Sequence, residues 1–453
     1  MAVSRGFGGK MRNRGLLLLA LATVVALSIP ASSGAATGTV IPNRYIVVLE
    51  DSATAGTVVA EHEELGAVVG QVYRSALNGY SARLLPATLA LVKADPRVER
   101  VVADREGVAT LAQTLPTGVN RIDADLGSQA AGDGTGTAPG DVAIMDTGVE
   151  TTHPDLNVAG GVNCVGSYGG HNGTIGDENG HGTHVAGIVG AKDDEVGTVG
   201  VAPGVRLWSV RVLNALGSGS TSTQLCGIDW VTANAPALGI KVANASMVLF
   251  GAADDGNCGA TSGDPLQQAI CNSTASGVLW VFGAGNNSNV SFAGAGGPSY
   301  DQVLTVTGLA DGNGVPNVPT TSTYTCPAVN GSRKSPNYAL ETDDKHFSSS
   351  SYAVNGDAVH TIAAPGSCIW STYKGGTYGN LTGTSMAAPH AAAAAHLCIA
   401  SGQCPGTPAE TIQKLRADAE AHSLADPGFG FTGDPLRPVT GRYYGHLLRA
   451  GLY

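Results

Sequence analysis

Charge is scarce in this chain: only 13% of its 453 residues are Asp, Glu, Lys or Arg. The formal net charge is -11 and no basic stripe is present to neutralise phosphates, which argues against a nucleic-acid polyanion as the main partner. Long apolar runs are missing beyond the N-terminus. The alanine-rich stretch over residues 391–400 is about half of what a membrane span needs, so the mature chain is expected to carry no anchor. Cysteine is absent before residue 160, and no Cys-x-x-Cys pair or Cys/His cluster at zinc spacing occurs, which disfavours a metal-thiolate site. What is plentiful points to a globular protein. Hydrophobic residues make up 43% and glycines number 64, enough apolar mass for a sizeable core joined by many tight turns.

The length suggests two or three folding units. At the N-terminus Arg5, Lys10, Arg12 and Arg14 precede an apolar run over residues 16–29, and small residues continue through Ala36. This predicts a secretory signal peptide over residues 1–36, cleaved near Ser33-Gly34-Ala35-Ala36, and a secreted, extracellular product. In an oxidising compartment the eight cysteines are expected to form disulfides. Eight cysteines allow about 105 pairings and the sequence does not choose among them. The near neighbours Cys398/Cys404 and Cys258/Cys271 are the first to suspect, which would leave Cys164, Cys226, Cys326 and Cys368, paired as Cys164/Cys226 and Cys326/Cys368.

Residues 37–110 read as one small module. A β-rich run over 44–50, a helical stretch over 55–65, a strand over 79–84, a helix over 86–94 and a strand over 98–102 suit a ferredoxin-like β-α-β-β-α-β, α+β domain. From residue 111 to 453 short apolar strands alternate with helical patterns. Strands are expected over 142–145, 206–213, 242–246, 279–283, 303–307 and 360–363, with helices after His181 and over 222–234, 265–274 and 385–399. That alternation predicts an α/β domain with a doubly wound, mostly parallel sheet covered on both faces, its active residues at strand ends and helix starts.

Three segments carry chemistry. Asp146 ends an apolar strand in Ile144-Met145-Asp146-Thr147-Gly148, where a buried carboxylate can orient an imidazole; taken alone, Asp-Thr-Gly also occurs in ordinary turns. His181 opens a helix in Asn179-Gly180-His181-Gly182-Thr183-His184, whose small flanking residues let a substrate approach the ring. Ser385 stands at the glycine turn of Gly383-Thr384-Ser385-Met386-Ala387-Ala388-Pro389-His390, so its hydroxyl is exposed and its N–H points off a helix N-terminus toward a developing oxyanion. A lone serine there would more simply be an N-cap. The order Asp, His, Ser across the chain is what turns three weak signals into one.

These segments resemble the subtilisin family nearly letter for letter, and the similarity runs from about Arg44 to the last helices. The resemblance implies a serine endopeptidase: Ser385 as nucleophile, His181 as general base and then acid, Asp146 holding the imidazole. Asn286, in Phe282-Gly283-Ala284-Gly285-Asn286, takes the position of the family's oxyanion asparagine, and His184 is expected to be structural. The module over 37–110 resembles the family's propeptide inhibitor, which implies a precursor that cuts itself between about Val108 and Ala112, with its own propeptide as intramolecular inhibitor.

The resemblance also implies a structural calcium held by Gln113, Asp155, Asp194 and the carbonyls of Lys192, Val196 and Thr198, an oxygen cage suited to that ion. Gly217, Ser218 and Gly219 resemble the edge strand that pairs with an extended peptide substrate. Opposite them Ser246, Met247, Val248 and Leu249 stand where relatives have Ser-Leu-Gly-Gly, so bulky residues replace the glycines of the specificity pocket. Gly283 and Ala284 complete the expected substrate-binding set, and residues 311–345 look like an insertion. Protein or peptide substrates and a monomer are expected. The rival classes are a catalytically impaired, protease-fold binding protein, which only Val248 and Leu249 favour, and an ester hydrolase, against which the peptide-pairing strand and the propeptide speak.

Overall fold

The structure, a computed structural model, describes residues 39–106, 113–166, 174–316, 322–324, 326 and 340–453. The expected signal peptide and the expected cleavage bonds lie outside these residues, as does much of the expected insertion. Two compact units divide at Ala109/Thr110.

The first unit runs β1 (Thr39–Leu49), α1 (Ala55–Glu64), β2 (Val68–Tyr73), β3 (Gly79–Arg83), α2 (Pro86–Ala94) and β4 (Val98–Glu106). The four strands form an antiparallel sheet in the order β2-β3-β1-β4. Val47, Leu49, Val58, Tyr80, Leu84 and Val92 bury one sheet face under the two helices. At its centre the His62 ring is fully buried, held by the Tyr80 hydroxyl on Nδ1 and by Asp95 Oδ2 at 3.0 Å from Nε2. A buried imidazole tolerates that position because both nitrogens are bonded.

The second unit begins with α3 (Thr117–Arg121) and β5 (Asp141–Asp146), β6 (Val158–Asn163), α4 (His181–Gly190), β7 (Arg206–Arg211), α5 (Thr221–Leu238), β8 (Ile240–Ala245), α6 (Pro265–Ala275), β9 (Leu279–Gly283) and β10 (Leu304–Ala310). The short strands β11 (Thr323–Tyr324), β12 (Glu341–Thr342) and β13 (Lys345–His346) follow, then β14 (Thr361–Pro365), the hairpin β15 (Ile369–Tyr373) and β16 (Thr377–Leu381), α7 (Thr384–Ala400) and α8 (Pro408–Ala425). The main sheet is ordered β13-β10-β9-β8-β5-β7-β6, with β14 also on β10; every pairing is parallel except that of β10 with β13. From β5 the chain first winds one way, to β6 and β7, and then the other, to β8, β9 and β10. The carboxyl ends around β5 are therefore the switch point where such sheets place their sites. β5 is buried along its whole length, as a central parallel strand covered on both faces must be.

All eight cysteines are paired: Cys164–Cys226, Cys258–Cys271, Cys326–Cys368 and Cys398–Cys404. α3 contributes a fully buried Arg121, whose guanidinium meets Asp344 at 2.7 Å and the carbonyls of Phe429 and Gly430 at 2.7 and 2.8 Å. Partners of that kind are what let a guanidinium sit in a core.

Candidate active site

Asp146, the last residue of β5, is wholly buried, and its Oδ1 accepts the Thr147 N–H at 2.7 Å and lies 2.7 Å from His181 Nδ1. That contact assigns the Nδ1 proton to the carboxylate side and leaves Nε2 as the acceptor of a neutral ring. Burial works against a charged His181, but the Asp146 carboxylate beside it and Asp177 outweigh that, so its pKa is raised. His184, one turn on, is different. Its Nε2 faces the carbonyls of Ile369 and Gly379, each at 3.0 Å, and burial pushes its pKa down to about 3, so it stays a neutral structural ring.

The start of α4 is anchored to the end of β5 by a residue that sequence reading passed over. Asp177 Oδ1 accepts from Thr147 Oγ1 at 2.9 Å and from the N–H groups of Asn179 and Gly180, both at 2.8 Å. Its Oδ2 accepts the N–H and hydroxyl of Thr183 at 2.9 and 2.7 Å. Thr147 Oγ1 accepts in turn from Gly182 N at 3.0 Å. Gly182 is required here, because a Cβ at that position would stand 2.1 Å from the Gly148 carbonyl oxygen. The signal for Asp177 was an aspartate four residues ahead of the helix start, where a carboxylate satisfies first-turn N–H groups.

Ser385 is the second residue of α7. Its hydroxyl donates to the Ser246 carbonyl at 3.1 Å, and the Ser246 hydroxyl donates back to the Ser385 carbonyl at 2.7 Å. Pro389 explains the second bond. In a helix the Ser385 carbonyl would accept from residue 389, and a proline has no N–H to give. Ser246 supplies the missing donor, and Asn244 Nδ2, 2.9 Å from Ser246 Oγ, orients it. Asn286 is held by its oxygen: Oδ1 accepts from Thr384 N at 2.8 Å and Thr384 Oγ1 at 3.2 Å, so Nδ2 is left without a protein partner among the described residues. Asn286 Nδ2 and the Ser385 N–H, which has no partner among the described residues, are two donors suited to an oxyanion.

Of the expected substrate-binding residues, Gly217 and Ser218 are exposed at a turn that Asn214 ties together through its backbone and Oδ1. Ser246 is buried, Met247 half-buried against the core, and Val248 is 39% exposed. Gly283 and Ala284 are buried: the Gly283 α-carbon packs on the Thr384 carbonyl and Ala284 N–H donates to Val306 at 2.9 Å.

The residues expected to hold calcium come together in part. Gln113 Nε2 donates to the carbonyls of Lys192 and Thr198 at 2.9 and 3.3 Å. Asp155 Oδ2 accepts from Thr198 N at 3.0 Å, while its buried Oδ1 has no partner. Burial pushes the Asp155 carboxyl up to about 7, with repulsion from Asp194 adding to it against the Thr198 N–H. Gly197, at φ +72°, makes the approach possible, because a Cβ there would lie 2.7 Å from Asp155 Oδ2. Asp194 and Val196 are exposed, and Asp194 Oδ1 accepts from Val196 N at 3.3 Å. Among the described residues no group of three or more His, Cys, Asp or Glu is placed to hold a metal. Two carbonyls converging on Gln113, together with an orphaned oxygen on Asp155 whose other oxygen bonds Thr198 N, nonetheless suit a hard cation served mainly by neutral oxygens. The neighbouring Asp193 is committed elsewhere, to the N–H groups of Gly132 and Gly134 at 2.8 and 2.9 Å.

A parallel α/β sheet that carries an Asp–His pair at its switch point, with a helix-opening serine bonded to Ser246 just after the adjacent strand β8, defines a class of serine hydrolase. The chain belongs to the subtilase family: residues 141–431 match the subtilase model, and residues 44–107 match the peptidase inhibitor I9 model. It is similar to an alkaline protease of Alkalihalobacillus alcalophilus, 36% identical over 318 residues that cover 70% of this chain and 68% of that one. Subtilisin DY of Bacillus licheniformis is 35% identical over 317 residues, 70% of this chain and 94% of the relative. Subtilisin Savinase of Lederbergia lenta is 36% identical over 287 residues, 63% and 84% of the two chains. The protein is a subtilisin-like serine endopeptidase made with an inhibitor-type propeptide domain.

Proposed function

We propose that the precursor is exported, cuts itself free of its propeptide and then hydrolyses peptide bonds of extracellular proteins as a monomer. Ser385 is the nucleophile, His181 the general base and then acid, and Asp146 holds the ring. The observation that carries this reading is the 2.7 Å contact of His181 Nδ1 with Asp146, in a family of serine endopeptidases. As a substrate carbonyl arrives, the Ser385 hydroxyl leaves the Ser246 carbonyl, passes its proton to His181 Nε2 and bonds to the substrate carbon. Asn286 Nδ2 and the Ser385 N–H donate to the resulting oxyanion; losing one such donor costs about 3 kcal/mol of transition-state stabilisation. His181 then gives the proton to the leaving amine, and water, deprotonated by the same ring, releases the acid from Ser385.

The peptide lies between Gly217, Ser218 and Gly219 on one side and Ser246, Met247 and Val248 on the other. Gln113, Asp155, Asp194 and the carbonyls of Lys192, Val196 and Thr198 are the residues for a calcium ion, with Gln113 turning its amide oxygen inward. Bound there, the ion would fix the loop after α4 by charge neutralisation and coordination, with no part in the chemistry. The test is labelling with a fluorophosphonate. Wild type should take up one equivalent on Ser385, and Ser385→Ala should take up none and remain a full-length precursor. Normal processing of that variant in a host without other proteases would overturn the reading.

A further inference from the structure

Helix α5 buries Gln224, Gly227, Ile228, Val231 and Ala235, the spacing of a stripe that faces a core. Gln224 is the one polar side chain in that stripe, and it is completely buried. Its amide is fully used. Nε2 donates to the Val248 carbonyl at 3.2 Å and approaches the Met247 sulfur at 3.7 Å, and Oε1 accepts the Phe250 N–H at 2.9 Å. Bonding the carbonyl of one residue and the N–H two residues on is what a neighbouring strand would do. Here a side chain does it, for a segment that belongs to no strand.

The position of Gln224 in the chain gives these bonds their meaning. α5 is capped by Ser220, directly after Gly217, Ser218 and Gly219. Gln224 therefore ties the element that follows one expected wall of the cleft to the main chain of the other. The rest of the second wall is anchored independently, through Ser246 to Ser385, Leu249 N to Gly296 O at 2.9 Å, and Ala252 N to Asp264 at 2.8 Å. Between these anchors, Val248 and Phe250 protrude with exposures of 39% and 55%.

We propose that Gln224 is a positioning residue for substrate: a cross-brace that sets the spacing between residues 217–219 and residues 246–250 and so determines how an extended peptide is gripped. The proposal rests on the reading of these two segments as the walls of the substrate cleft. The brace acts through the main chain of residues 248–250, on the part of the peptide beyond the residue that the Val248 side chain itself would meet. The hydrogen bonds of Ser385 go to Ser246 and do not involve Gln224.

The experiment compares a peptide with four residues before the cut bond with an ester of a single amino acid, in wild type, Gln224→Leu and Gln224→Glu. Leucine fills the space without either bond. Glutamate keeps the shape and the acceptor for Phe250 N–H but cannot donate to Val248. The expected result for Gln224→Leu is a fall of about tenfold in kcat/KM on the long peptide, carried by KM, the kinetic equivalent of one buried hydrogen bond. The single-residue ester should stay within about twofold of wild type, since uniform binding has been lost and not chemistry. Gln224→Glu should fall between wild type and Gln224→Leu on the long peptide. Equal losses on both substrates, or no loss on the long one in both variants, would overturn the brace. Fluorophosphonate uptake separates this from the wider reading: a wild type that fails to label counts against Ser385, whereas full labelling with no split between substrates counts against Gln224 alone.

Discussion

Ser246 and Ser385 are bonded to each other twice, each hydroxyl donating to the other's main-chain carbonyl, at 3.1 and 2.7 Å. The two bonds have different standing. The first must break before Ser385 can attack, and the second replaces a helical bond that Pro389 cannot make. Ser246→Ala should therefore leave the Ser385 carbonyl, at the head of α7, without a donor and destabilise the domain by about 1–3 kcal/mol, the usual cost of an orphaned buried acceptor. Denaturant unfolding of the change in a Ser385→Ala background, where autolysis is absent, measures it; an unchanged midpoint would show that water replaces the hydroxyl.

Asp177 holds the ends of β5 and α4 together and adds negative charge near His181. Asp177→Asn removes the charge while keeping much of the shape. The sign follows from the cause: one fewer anion near the ring makes the imidazolium less favoured, so its pKa falls. The acid limb of the kcat/KM profile should move to lower pH, while Asp146 still raises the ring's pKa and the neutral His184 contributes no charge. A pH titration of peptide hydrolysis checks this, and a limb that stays in place would assign the raised pKa to Asp146 alone.

Calcium should stabilise the folded enzyme. An ion bound only by the native state at about 100 times its Kd adds about 2.7 kcal/mol. Chelation should lower the thermal midpoint and speed autolysis, and Asp155→Asn should remove most of the difference between calcium and chelator. Calorimetry on the processed enzyme provides the comparison.

Val248 bears on which peptides are cut. If it occupies the pocket wall, its side chain narrows the slot, and a bulky residue before the cut bond should lose about 1–3 kcal/mol, roughly 5- to 150-fold in rate constant, relative to alanine. Val248→Gly should restore phenylalanine over alanine in kcat/KM on matched peptides. A wild type that already prefers phenylalanine, unchanged by glycine, would place Val248 outside the pocket.

The regular elements were legible because their periodicity is strong: β5, β9 and the helices α6 and α7 lie within a residue of where the apolar pattern puts them. β6 was not. Val158–Asn163 contains Gly160 and Gly161 and has little strand propensity, and it is a strand because β7 pairs with it. α8 carried a readable signal, the reciprocal cap of Thr407 and Glu410, that was passed over. Around the site, short motifs mark Asp146, His181 and Ser385, but the roles of Asp177, Ser246 and Gln224 appear only when segments far apart in sequence meet. A buried glutamine in an apolar helical stripe and a proline four residues after the serine were the traces they left.

The disulfide between Cys164 and Cys226 closes a loop of the chain with a sequence separation of 62, and His181 lies inside it. An endopeptidase is surrounded by copies of itself, and surface loops are where it is nicked first. A single cut anywhere inside that loop leaves two fragments joined by a covalent bond, with the imidazole still tethered to the strand that bears Asp146 and to the body that bears Ser385. Such a molecule would keep its full mass until it was reduced, so ageing preparations could hold cut chains that still assemble a working centre.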